Sequence, residues 1–185
     1  MNSEKCSLTI QSSNEVAQMQ SKEQFLALYH PQNQERYTRD QLRCVAGNAP
    51  TLEELNRKFG EGMAQEWLTY QIIDFSEFCG VRQKITAMQL QQVAMLLTSE
   101  YKKMKVTDFM LFFRRFKLGY YGQLFGAFDP LLLTNKFLEY KKERSAIIIR
   151  MREKEQKDNR NKVKSTENYV SYEEWQNIKQ RKQSS

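Results

Sequence analysis

The chain has one histidine, three cysteines, three prolines and seven glycines in 185 residues, and each scarcity excludes something. The lone His30 stands beside Pro31 with no nucleophile motif around it, so a serine or cysteine triad has no base. Cys6, Cys44 and Cys79 are far apart and form no CxxC pair, which argues against a zinc site of the usual kind. So few glycines and prolines suit helices better than a succession of β-hairpins, each of which needs a special turn. No apolar run approaches eighteen residues and no apolar leader follows Met1. Unpaired thiols and the lack of a leader or span lead us to expect a cytoplasmic protein without membrane association.

Sequence motifs for catalysis are also missing. There is no HExxH, no EF-hand loop, no GxxxxGK[ST] and no GxGxxG. We therefore expect no catalytic residues, no metal, no cofactor and no enzyme activity.

What the chain does have is charge, unevenly placed. Net charge is +7, but residues 1–100 hold 9 Lys/Arg against 12 Asp/Glu, whereas residues 101–185 hold 20 against 10. An acidic partner is expected to meet the second half. Hydrophobic residues make up 40% and aromatics 12%, enough to fold most of the chain.

Helix signals punctuate the sequence. Residues 1–20 are polar and read as a flexible tail. Ser21-Lys-Glu-Gln24 resembles a capping box before a short helix, and residues 31–50, with Pro31, Gly47 and Pro50, read as a loop with one helical turn. Thr51-Leu-Glu-Glu54 opens a helix that Gly60 ends. A longer one follows from about Gly62 to Cys79, with Trp67, Leu68, Ile72 and Phe75 on one face. Thr86-Ala-Met-Gln89 caps the next.

Thr107 is expected to cap a helix from Asp108 to Leu118, whose Phe109, Phe112, Phe113 and Phe116 fall within an arc of about 100°. That places them in the core and leaves Arg114, Arg115 and Lys117 to reach solvent. Gly119 ends it, Tyr120 to Phe128 forms a loop, and Asp129-Pro130 starts the long last helix. Its apolar stripe runs through Leu133, Phe137, Tyr140, Ile147 and Met151, interrupted by Arg144, and could pair with a second copy. Ser171-Tyr-Glu-Glu174 introduces a final amphipathic segment.

The expected fold is all-α: a single compact helical bundle of about five or six helices with a long basic C-terminal helix and flexible termini. The expected divisions are a flexible polar tail at 1–20, a peripheral helix and loop at 21–50, a helical core domain at 50–151 and a basic extension at 152–185.

Phe109 to Gly126 combines cations, aromatics and three glycines, and is the leading candidate for binding. Cations neutralise phosphates while aromatic faces stack on unpaired bases. The candidate nucleic-acid contacts are Lys102, Lys103, Lys105, Arg114, Arg115, Lys117, Tyr120 and Tyr121, with Lys141, Lys142, Arg150 and Arg152 on the long helix. The competing reading is a solvated helix face for the charges and a packed loop for the tyrosines.

The stretch from Thr51 to Ile149 resembles an uncharacterised helical family of Bacteroides-type genomes and their mobile elements. The resemblance is carried by Thr86-Ala-Met-Gln-Leu90, Phe109 through Gly122, and Phe128-Asp-Pro130. It implies a helical fold and no catalytic residues. The chain is also similar, in size, helical content and a basic C-terminal region, to phage replication accessory proteins of the helicase-loader type. That similarity implies a replication-protein partner and DNA.

The expected function is a non-enzymatic accessory protein of DNA replication or of mobile-element or phage maintenance, binding DNA through a basic surface. The alternative is a protein-binding adaptor without DNA contact, anchored by Tyr120, Tyr121, Phe125 or Trp175.

Overall fold

The computed structural model describes residues 19–166 and residue 175. Eight α-helices occupy these residues: α1 Lys22–Leu28, α2 Gln34–Thr38, α3 Gln41–Ala46, α4 Leu52–Phe59, α5 Met63–Phe78, α6 Ala87–Glu100, α7 Val106–Lys117 and α8 Pro130–Thr166. A 3-10 turn, Pro31–Asn33, precedes α2. Among the described residues there is no strand, only isolated bridges at Thr51–Lys105 and Gln83–Ala127. The protein is all-α. It divides into two units, Met1–Ser145 and Ala146–Ser185. No described helix is long and apolar enough to cross a membrane. Residues 1–18 of the tail expected at 1–20, and the expected capping box at Ser171–Glu174, lie outside the described residues.

Local chemistry starts most of these helices. Thr51 Oγ1 accepts the Glu54 N–H at 3.2 Å while the Glu54 carboxylate accepts the Thr51 N–H at 2.9 Å. Thr86 and Gln89 repeat the arrangement. Asp129 accepts from the N–H groups of Leu131 and Leu132 at the start of α8. Each box satisfies amides that the first helical turn otherwise leaves bare.

Two corrections concern helix starts and number. The helix count exceeds five or six because residues 31–50, expected to be mainly loop, also contain α2 and α3. Asp40 caps α3 by accepting from Leu42 and Arg43, and the buried Gln34 of α2 donates to Gln71 of α5 at 2.9 Å. The second correction is Thr107, which does not cap α7. Lys105 takes that position and Thr107 donates its hydroxyl to the Cys44 carbonyl at 2.7 Å.

The core takes in residues well before position 50. Met19, Phe25 and Tyr29 are buried with Trp67. The Tyr29 carbonyl, at the end of α1, accepts from Trp67 Nε1 at 2.9 Å and Gln71 Nε2 at 3.0 Å. At the centre is α7, buried without interruption from Val106 to Phe113. Phe109 stacks on Phe137 of α8 at 4.7 Å, and Phe116 lies 4.6 Å from Phe75 of α5. The four phenylalanines of α7 are core, as their spacing implies. Phe137 and Tyr140 of α8 are fully buried in the same core. The expected self-pairing stripe on α8 is thus spent on the chain's own interior over these positions.

One buried carboxylate joins α7 to α8. Asp108 is fully buried; its Oδ1 accepts from Tyr140 Oη and Arg144 Nε, each at 2.9 Å, and its Oδ2 accepts the Lys105 N–H at 3.1 Å. Tyr140 and Arg144 are one helical turn apart, so both reach the same oxygen. Burial raises the Asp108 carboxyl above the ordinary aspartate value, while Arg144, Tyr140 and the Lys105 amide pull the other way.

A carboxyl that holds its proton more tightly folded than unfolded adds stability as pH falls from its folded value toward the ordinary one. Wild-type protein should therefore gain stability relative to Asp108→Asn across that acid interval, read by denaturant unfolding at successive pH values. Asp108→Ala, which strands the Tyr140 hydroxyl and the Arg144 charge, should cost about 3 kcal/mol at neutral pH.

Candidate functional site

The segment between α7 and α8 is built to hold one tyrosine in and its neighbour out. Gly119 and Gly122 have φ of +88° and +83°, a region that side chains disfavour. The chain can therefore reverse just after α7, with the Tyr120 N–H donating to the Arg115 carbonyl and the Gly122 N–H to the Gly119 carbonyl. The far end is pinned at Gln83, whose N–H donates to Gly126 and whose carbonyl accepts from Phe128.

Between these anchors Tyr121 drops into the core, 5.4 Å from Phe112 and 5.7 Å from Phe116, with its hydroxyl donating to Glu143 at 3.2 Å. Burial pushes that hydroxyl up to about 12. Tyr120 faces outward, 70% exposed, and Phe125 is 81% exposed.

The cations of α7 correct the expectation that they extend into solvent. Arg114 donates to the carbonyl and hydroxyl of Thr38, both at 3.2 Å. Arg115 pairs with Glu143 at 2.7 Å. Lys117 bonds Asp74, donates to Gln34 Oε1 at 3.1 Å and lies over the Phe78 ring. The side chains of Arg115 and Lys117 are only 15% and 18% exposed. Arg114 and Lys117 are drawn to the side of α2 and α5, and Arg115 to Glu143 of α8.

The other candidates fall into separate groups. Lys105 directs its ammonium to the Gly47 carbonyl. Lys102 and Lys103 are exposed in the turn before α7, which is held by Leu52 N–H on the Met104 carbonyl and Glu53 N–H on the Lys102 carbonyl. That turn lies a helix length, about 18 Å, from Lys117. On α8, Lys141 sits 5.1 Å from the Tyr101 ring centroid and Lys142 is exposed. In the second unit Arg150 and Arg152 are exposed. Trp175 is helical and half exposed.

Spacing in the sequence does not reveal what the α7–loop junction presents instead. A cleft of about 310 Å³ opens there, with Phe75 and Phe116 at its base and Phe78, Cys79, Leu118 and Leu124 around it. Phe78 and Leu118 are 61% and 63% exposed. Both sit at helix ends, where period alone cannot separate a core position from a rim position. A second unforeseen feature is a cleft of about 670 Å³ beside Tyr37, bordered by Arg36, Arg39 and Arg43.

Acid–base chemistry has little footing in the aromatic cleft. Burial raises the Cys79 thiol, favouring the uncharged form. His30 is exposed on the 3-10 turn, its Nδ1 accepting from the Gln32 N–H. Among the described residues no three His, Cys, Asp or Glu gather to hold a metal ion.

The two tyrosines give a direct check. Tyr121→Ala should cost about 3 kcal/mol in denaturant unfolding by emptying a packed site, while Tyr120→Ala should stay within about 0.5 kcal/mol of wild type. Reversing Arg114, Arg115 and Lys117 together to Glu should lower the melting temperature sharply, since each faces a fixed internal partner.

No curated protein and no solved structure matches this chain. Residues 84–185, which include α6, α7, the loop and α8, match a family described as a family of unknown function, DUF6633. With more than half of its length matched, the chain belongs to the DUF6633 family.

Proposed function

We propose that the protein is a non-enzymatic adaptor of DNA replication or of mobile-element or phage maintenance, and that it holds a protein partner at the α7–loop junction. One observation carries this reading: Phe78 and Leu118, which line the cleft, and Tyr120 and Phe125, on the loop beside it, are 61–81% exposed. Nearby cations are meanwhile engaged internally. Aromatic anchors on a backbone already fixed by Tyr121 and Gln83 lose little freedom on binding. The resemblance to Bacteroides-type mobile-element proteins and to phage helicase loaders supplies the replication setting. Free Cys44 and Cys79 suit a cytoplasmic location.

A second reading, direct DNA contact, is favoured by α8 in the second unit. Arg150, Arg152, Lys154, Lys157 and Arg160 are exposed there, without an ion pair among the described residues. Glu153, Glu155 and Asp158 alternate with them and dilute the field.

Affinity capture from the native host, with Tyr120→Ser/Phe125→Ser as the comparison, separates the readings. The adaptor reading expects a replication protein to be captured by wild type and lost from the variant, at unchanged melting temperature, each truncation costing about 1–2 kcal/mol of binding. Capture unaffected by the variant counts against the loop. DNA binding, by fluorescence anisotropy at two salt concentrations, should be weakened by Arg150→Glu/Arg152→Glu and by added salt if the second reading holds.

A further inference from the structure

We infer that α6 is the dimerisation helix of this protein, pairing antiparallel with α6 of a second copy about a two-fold axis. The surface is separate from the aromatic cleft and does not depend on the reading given to it.

The helix Ala87–Glu100 carries no charged residue before its final glutamate, in a chain with 28% charged residues. Its inner side is accounted for: Val93, Ala94 and Leu97 are buried. Its outer side mixes exposed apolar residues, Met88 at 70%, Met95 at 53% and Leu96 at 55%, with uncharged polar ones. Met88, Gln92, Met95 and Ser99 follow one another at steps of four, three and four, and Gln92 and Ser99 are exposed too. That spacing draws a straight line along a helix, the seam by which two helices pack. It extends about 16 Å, at 1.5 Å per residue.

Charge selects a second copy as the occupant. Residues close to a two-fold axis meet their own copies, so a charged seam would set like charges against each other. This seam is neutral throughout. Charges appear only at its ends, and each end carries both signs. Glu77 and Lys84 precede α6, paired with each other. Glu53, Arg57, Glu61 and Lys102 lie around the Met95–Ser99 end, in a cleft of about 540 Å³. Glu53 and Arg57 are likewise paired, so an antiparallel copy that brings one end against the other sets no block of a single sign against its like. The methionines can adjust their shape to a partner helix of identical sequence.

Sedimentation velocity on the full chain, from about 1 μM to 1 mM, tests this. Wild type should move from monomer to dimer within that range. Met95→Glu and Met95→Lys, each alone, should raise the dissociation constant by at least about tenfold, with melting temperatures near wild type. Mixing the two variants should restore a dimer, because opposite charges then meet at the axis. A monomeric wild type across the range overturns the inference. So do variants that dimerise normally, which would place the interface elsewhere, or a mixture that stays monomeric, which would leave the seam to another protein.

Discussion

The carboxylate of Asp108 is the constraint on which the rest of the first unit depends. It lies at the third position of α7, where it accepts the Lys105 N–H, and it also receives Tyr140 and Arg144 from α8. A single buried group thus starts the central helix and fixes the register of the last one against it. Placing Tyr140 and Arg144 on this oxygen sets Phe137, one turn earlier, on the face of Phe109. It also leaves Glu143 within reach of Arg115 and Tyr121. The loop that displays Tyr120 and Phe125 is therefore positioned from below by contacts that begin at Asp108.

This ordering changes the meaning of the basic half of the chain. Its positive excess is real, yet Arg114, Arg115, Lys117 and Arg144 all act between helices. Partly buried pairs of this kind are geometric pins, since desolvation offsets much of their attraction. What they hold in place is a surface with exposed aromatic and aliphatic side chains, Phe78, Leu118, Tyr120 and Phe125. Glycine turns and the Gln83 clamp hold its backbone.

Features whose partners lie within four residues were legible in the sequence. The capping boxes at Thr51 and Thr86 and the Asp129 cap are local, and α7 declares its core face by spacing alone. Features with distant partners were not. Gln34 needs Gln71 to make α2 worth forming, and Thr107 gives up capping because the Cys44 carbonyl, 63 residues away in sequence, takes its hydroxyl. Lys117 and Asp74 are separated by 43 residues, so no window along the chain could show that the cation is engaged. The neutrality of α6 was visible in the letters, but its meaning depends on knowing which side of the helix stays bare.

Asp108 and Arg144 act as one unit holding α8 to α7. A double-mutant cycle of Asp108→Asn and Arg144→Met, measured by denaturant unfolding at neutral pH, tests it most directly. A shared bond should give a coupling of about 2 kcal/mol between the two positions. Additive effects, with no coupling beyond error, would contradict it.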